Sequence, residues 1–298
     1  MPNIENSRSA KLDAIFGTPL FAVLLAIGCN VLWGSAFPFI KMGYRLFAIE
    51  TSDTASILCF AGVRFMLGSL LVLAGSLILE GKLPQPPCGK VLGECCALGL
   101  WQTTAQYAFY YMAVALLTGA FGGILNSTQS FLGVIFAHFL YGDADRMTPA
   151  KTLGCVLGFS GVVLVNLGQG GLDGTFQITG EGFVFLSSIS YAFSSVFLKR
   201  YSAEDDPVLL SGWQFAVGGA VMMAGSLLCG GRIAPLAPPA GLMLLYLACI
   251  SAVAYSLWGI LLKYNPVSRV TVFSFMTPVF GVILSAACLG ENLWDWRY

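Results

Sequence analysis

The sequence predicts an all-α, polytopic membrane protein built from two inverted five-helix repeats, and three observations carry that prediction. Hydrophobic residues fill 57% of the 298 positions and charged residues 10%. An ordinary globular domain carries roughly 25% charged residues, so this chain has too little polar surface to cover a water-exposed body. The apolar residues fall into runs of about 20, the length that crosses a hydrocarbon core as a helix. The chain also aligns with itself when slid by about half its length.

Taken in order, the apolar runs predict spans at 20–43, 55–79, 91–116, 119–141, 151–168, 180–200, 208–229, 241–263 and 267–289. A polar segment, 1–19, precedes them and carries Arg8 and Lys11. The first run, Leu20 to Ile40, is longer than a signal-peptide core and lacks a small-x-small site near its end, so it reads as a retained span. Short loops rich in Gly, Pro and charge join the rest. The longest are "EGKLPQPPCGK" near residue 85 and "GQGGLDGTFQIT" near residue 173. The second divides the chain into 20–168 and 180–298, with a flexible joint at 169–179.

With the N-terminus placed in the cytoplasm, inner segments hold Arg8, Lys11, Lys82, Lys90, Arg146, Lys151, Lys199, Arg200, Lys263 and Arg269. Outer segments hold Lys41, Arg45, Arg232 and Arg297. This bias places the N-terminus inside, as expected of a bacterial cytoplasmic-membrane protein.

A shift of 148 lays Gly133–Phe136 on Gly281–Leu284, Gly142–Asp143 on Gly290–Glu291, and Tyr107 on Tyr255. A shift of 150 pairs "AGSL" at Ala74 with "AGSL" at Ala224, and pairs Gly62, Phe65 and Gly68 with Gly212, Phe215 and Gly218. A shift of 158 places Lys41 on Lys199. Five spans is an odd number, so a second copy enters the membrane from the opposite side, and the repeats are inverted. The second copy shows four spans. After Glu291 come seven residues, and the counterpart of 151–168 is missing, either by truncation or as a natural nine-span form.

These features resemble the EamA-like transporters of the drug/metabolite transporter superfamily. "LWGSAFPFIK" (Leu32–Lys41) is similar to that family's Trp-Gly signature, and Gly142–Asp143 and Gly290–Glu291 to its Gly-Glu signature; Arg64-Phe65 also fits. The resemblance covers 20–291 and implies a ten-helix basket around a central cavity. It also implies export of small metabolites, amino acids or drugs. The second-repeat equivalent of Trp33-Gly34 departs from the signature, being Tyr191-Ala192.

Polar side chains inside a membrane helix face protein or water, since lipid leaves their hydrogen-bonding groups unpaired. Candidate substrate contacts are therefore Asn30 and Trp33 on the first span, Gln102, Gln106, Tyr107 and Tyr110 on the third, and Asn126 and Gln129 on the fourth. Tyr191 and Ser195, Tyr255 and Trp258, and Thr277 complete the set on the sixth, eighth and ninth. Such a lining suits a neutral or zwitterionic solute with an apolar part. The alternative is that these groups glue helices together. Arg64, inside its span, is read either as a contact for a substrate carboxylate or as paired with carbonyls of its own repeat. His138 is a candidate coupling group or a packed interfacial residue. Lys41 and Lys199 are expected to snorkel to the interface. Gly34, Pro38, Pro278 and Gly281 are candidate hinges.

Net charge is zero, so nothing calls for a nucleic-acid partner. Nine scattered cysteines without a Cys-x-x-Cys pair, and a single histidine, supply no common zinc spacing. No cofactor and no metal are expected, and the paired membrane-depth acids of an intramembrane enzyme are missing. The expected partners are a small-molecule substrate and the bilayer. A non-transporting scaffold is the rival reading.

Overall fold

Proline and aspartate set where the helices begin. A computed structural model describes residues 15–81, 83–117, 122, 125–170, 178–233 and 237–290. Helix α1, Pro19–Leu46, opens on a proline whose missing N–H is one the first turn leaves unbonded anyway. Helix α2, Thr54–Glu80, is capped by Asp53, which accepts from the Ser56 N–H at 3.0 Å. Helix α3 covers 89–116, with a wide π turn over Gly99–Ala105 between two α segments. Helix α4, Thr128–Tyr141, stops at Gly142, whose φ of 53° disfavours any side chain.

Helix α5, Pro149–Gly170, follows Thr148, whose Oγ1 accepts from the Lys151 N–H at 3.3 Å. Helix α6 is Ile178–Ser202. Helix α7, Pro207–Leu228, is capped by Asp206 much as Asp53 caps α2. Helix α8 is Pro238–Tyr264, and α9 is Val267–Leu289, with a 3₁₀ turn at Val272–Phe275 and a left-handed stop at Gly290.

Among the described residues there is no strand, and six helices are long and apolar enough to cross a membrane: α1, α2, α6, α7, α8 and α9. The other three predicted windows are helical over 89–116, 128–141 and 149–170. Most of 118–124, the polar segment before residue 15, the centre of the inter-repeat joint and Glu291 lie outside the described residues.

Helix pairings come in exchangeable sets. The most extensive is α2 with α7; α1 packs on α8 as α6 packs on α3, and α1 on α9 as α6 on α4. Swapping the halves maps the α2–α7 pairing onto itself and each of the others onto its counterpart, the signature of a pseudo-two-fold axis. Small residues make the close approaches. A Cβ on Gly62 would sit 3.1 Å from the Gly219 carbonyl, and one on Gly219 3.0 Å from the Gly62 carbonyl. Lipid tails are as apolar as leucine, so contact of this kind, rather than exclusion of water, holds membrane helices together.

The two lysines expected to snorkel turn inward instead. Lys41 Nζ donates to the Leu117 carbonyl at 2.7 Å, and Lys199 Nζ to the carbonyls of Leu262 at 2.9 Å and Asn265 at 2.6 Å. Helix C-termini leave their last carbonyls unbonded and carry partial negative charge, so a nearby ammonium is better used there than in the headgroups. The repeats thus share one device, a lysine from the first helix closing the end of the third.

The end of the bundle that carries the N-terminus is cross-tied between the halves. Asp145, buried after α4, accepts from the Ser268 N–H at 3.0 Å and from the Ser268 hydroxyl, so it caps α9 from the other repeat. Lys151 Nζ reaches the same carboxylate at 3.2 Å. Tyr141 donates to the Val196 carbonyl at 2.7 Å, and Lys90 pairs with Glu204. Glu94 is buried beside Lys90.

Candidate functional site

Two repeat-related pairs of aromatics meet on the pseudo-two-fold axis. The hydroxyls of Tyr107 and Tyr255, 148 residues apart, are 2.7 Å from one another. Trp33 and Tyr191 meet edge to face at 6.4 Å. These four residues form part of the wall of a cavity of about 40 Å³, completed by Ala36, Phe37, Ile40, Arg64, Gln106, Tyr110, Asn126, Gln129 and Thr277. It lies between the middle of the bundle and the end opposite the N-terminus. One helical turn beyond Ile40 on α1, a larger hollow of about 470 Å³ opens at that end, lined by Lys41, Tyr44, Arg45, Glu50 and Val114 among others.

The cavity wall is rich in hydrogen-bonding capacity that the protein itself leaves unused. Trp33 Nε1, Gln106 Oε1, Tyr110 OH, Asn126 Oδ1 and Gln129 Oε1 are buried without a partner among the described residues. Each such group costs free energy on the order of 1–3 kcal/mol if left unmade. Donors and acceptors are mixed, while Phe37, Tyr107 and Tyr255 supply ring surface. Among the described residues, the one fixed charge on the wall is Arg64, 1% exposed. Its Nε donates to the Leu247 carbonyl at 3.1 Å and Ser251 Oγ at 3.0 Å, and its Nη1 to Tyr111 OH at 2.7 Å. The guanidinium also stands 5.8 Å from the centre of the Tyr107 ring. Arg64 therefore binds a backbone carbonyl of the other repeat, not of its own.

Nine of the expected contact residues come together here: Trp33, Gln106, Tyr107, Tyr110, Asn126, Gln129, Tyr191, Tyr255 and Thr277. Four do not. Asn30 Nδ2 donates to the Ala26 carbonyl at 2.6 Å and its Oδ1 accepts from the Thr277 hydroxyl, so it clasps α1 to α9 behind the wall. Trp258 is fully buried behind Trp33, with ring centres 4.9 Å apart. Ser195 back-bonds to the Tyr191 carbonyl at 2.9 Å. Gln102 falls in the π turn. Residues four apart share a face in an α-helix, but a wider turn rotates the chain less per residue and carries Gln102 off the face of Gln106 and Tyr110.

His138 is also elsewhere; its Nδ1 accepts from the Met147 N–H at 3.3 Å across the α4–α5 turn. Of the candidate hinges, Gly34 and Gly281 are crossing points. A Cβ on Gly34 would meet the Thr277 carbonyl at 2.9 Å, and one on Gly281 would overlap the Phe37 ring. Pro38 lies inside α1, where it cannot bond the Gly34 carbonyl, and Pro278 follows the 3₁₀ turn of α9, whose carbonyl at Ser274 it cannot bond. Ala36 and Ile40 were not singled out in the sequence. Their spacing with Trp33 and Phe37, at 33, 36, 37 and 40, is the helical signal that marks them.

A family model described as the EamA-like transporter family matches residues 20–167 and again 178–294. The "uncharacterized inner membrane transporter YedA" of Escherichia coli K12 is 26% identical over 284 residues, covering 92% of this chain and 84% of that protein. The "probable amino-acid metabolite efflux pump" of Salmonella typhimurium LT2 is 26% identical over 282 residues, covering 90% of this chain and 87% of its own length. An "uncharacterized transporter" of Archaeoglobus fulgidus is 26% identical over 274 residues, covering 91% and 89%. A crystal structure superposes with a TM-score of 0.72 at 19% identity over 93% of this chain and 90% of that one, a likeness of fold. Two matches of one transporter model, spanning nearly the whole of an all-helical, multi-pass chain, establish that it belongs to the EamA-like transporter family.

Proposed function

We propose that the chain is a secondary transporter that exports small neutral or zwitterionic organic solutes, amino acids among them, by alternating access at the interface of its repeats. The observation that carries this reading is the cavity on the pseudo-two-fold axis, lined with aromatic rings and unpartnered hydrogen-bonding groups. A cavity of about 40 Å³ holds about three waters and no organic solute. Binding a solute therefore requires the walls to part. The inverted pairings supply the means, since one bundle rocking against the other opens the site to each side in turn.

In this reading α1 with α8 and α9 forms one moving bundle and α6 with α3 and α4 the other, each drawn from both 20–168 and 180–298, with 169–179 as the joint between the repeats. The N-terminus lies in the bacterial cytoplasm. The Asp145–Ser268 clasp holds the cytoplasmic side shut, and the hollow beside Lys41 and Arg45 is the mouth on the other side. Pro38 and Pro278 are the flexing points. The efflux name of the Salmonella relative supports the outward direction.

The test is a counterflow screen in proteoliposomes with aromatic, aliphatic and hydroxylated amino acids, nucleosides and a lipophilic cation. Exchange of at least one amino acid is expected; silence across the panel would sink the reading. A second measurement separates a transporter from a scaffold. Cysteines placed at Gln106 and Asn126 should react with a small water-soluble thiol reagent, whereas a scaffold keeps both sealed.

A further inference from the structure

We propose that Arg64 anchors a solute carboxylate, so that the cavity prefers organic acids and zwitterionic amino acids over the corresponding amides, which lack the carboxylate. The inference rests on the transport reading for its setting, and on four features of the site for its chemistry.

Arg64 is buried at membrane depth and forms no ion pair with any described residue. Its three hydrogen bonds go to a carbonyl and two hydroxyls, all neutral, and Nη2 donates to no described residue. An uncompensated cation in a low-dielectric interior is costly, and such residues usually serve a pathway or a ligand.

The second feature comes from the other repeat. The shift of 150 that pairs Phe65 with Phe215 puts Gln214 at the position of Arg64. Gln214 is fully buried in α7 as Arg64 is in α2, and it is neutral. The repeat-related position on α7 is therefore filled by a neutral side chain, so burial at this point of the fold does not by itself call for a cation.

Third, the guanidinium lines the cavity. Its planar fork matches a carboxylate, and one cation balances one carboxylate, where a phosphate dianion would remain half compensated. Fourth, the opposite complement is also present. The unpartnered oxygens of Gln106, Asn126 and Gln129 can accept from an ammonium group, while Tyr110 OH and Trp33 Nε1 can donate to the second carboxylate oxygen.

The test uses the full chain. In detergent, benzoate and benzamide are titrated against tryptophan fluorescence, with Trp33 as the reporter in the cavity wall. In proteoliposomes, L-phenylalanine and L-phenylalaninamide are compared in counterflow. The acid should bind at least about tenfold more tightly than the amide, the size of one charge-assisted contact. In Arg64→Gln the ratio should fall to about one, and Arg64→Lys, which keeps the charge but loses the fork, should lie between. If Arg64→Gln does not fold, the wild-type ratio and Arg64→Lys decide the matter. A wild-type ratio near one, a ratio unchanged by the substitutions, or no binding of either probe overturns the proposal. Counterflow indifferent to the carboxylate would leave transport standing and this inference refuted. Benzoate discrimination without any counterflow would do the reverse.

Discussion

The crossing of α1 over α9 gives the sharpest test of how this fold is held, because one helix carries both a variant that should damage it and its control. At Gly34 an alanine Cβ would lie 2.7 Å from Phe280 Cβ, 2.9 Å from the Thr277 carbonyl and 3.0 Å from the Gly281 nitrogen. Ordinary contact is about 3.5–4 Å, so α9 has to retreat by roughly 0.5–1 Å. Overpacking of this kind costs about 1–3 kcal/mol. The Asn30–Thr277 hydrogen bond spans the same crossing, and stretching it adds about 1 kcal/mol. The better helix propensity of alanine returns at most about 1 kcal/mol. Gly34→Ala should therefore destabilise by about 1–3 kcal/mol. Gly28, on the same helix, has open space where a Cβ would stand, with nothing within 4 Å, so Gly28→Ala keeps the propensity gain alone. Thermal unfolding in detergent, followed by tryptophan fluorescence, should show the first variant several degrees below wild type and the second level with it or above. Equal midpoints for the two variants would refute the packing argument.

The remaining expectations concern three other contacts. Tyr107→Phe and Tyr255→Phe should each destabilise, and the double variant by less than their sum, with a coupling of about 0.5–1.5 kcal/mol in a double-mutant cycle; additivity would mean that the axial hydrogen bond contributes nothing. Asp145→Ala removes the acceptor for the Ser268 N–H and should cost about 1–3 kcal/mol in unfolding measurements; it should also raise thiol-reagent labelling of a cavity cysteine from the N-terminal side, and unchanged labelling would dissociate the clasp from gating. Asp53 is held below the usual carboxylate range by the hydrogen bonds from Ser56. Its contribution is therefore present above the unfolded carboxylate pKa and is lost as pH falls through the folded one. Asp53→Ala should cost about 1 kcal/mol at neutral pH, and the gap from wild type should close in acid; a gap that persists there would remove the cap from the account.

Span positions were legible because hydrocarbon thickness imposes a length on every apolar run, and prolines and capping aspartates mark the ends. The axial Tyr107–Tyr255 pair was legible as well, since a repeat-related residue near a two-fold axis meets its own counterpart. What could not be read was local winding. The π turn of α3 has no compositional mark, and it decides that Gln102 leaves the cavity face while Gln106 stays. Nor does a polar residue announce whether it turns toward a cavity or a neighbouring helix. Asn30 and Thr277 look alike in sequence, yet one clasps from behind and the other lines the wall. The lysines misled for a related reason: snorkelling and capping demand the same residue at the same helix end, and the partner carbonyl lies about 70 positions away in the chain.

Two identical halves, inverted, would make the end states of a rocking cycle two-fold copies of one another, equal in energy, and neither side of the membrane would be preferred. This chain is not symmetric in that sense. Asp145 caps α9 at one end of the bundle, and the residue related to it by the shift of 148 is Leu293, which cannot act as an acceptor through its side chain. A difference of about 2.7 kcal/mol is enough to turn an even population into 99 to 1, and a charge-assisted hydrogen bond is of that order. The resting side of such a protein is therefore not a property of its architecture. It resides in the few positions where the second half declines to copy the first, and a single substitution there can reverse it without altering the fold.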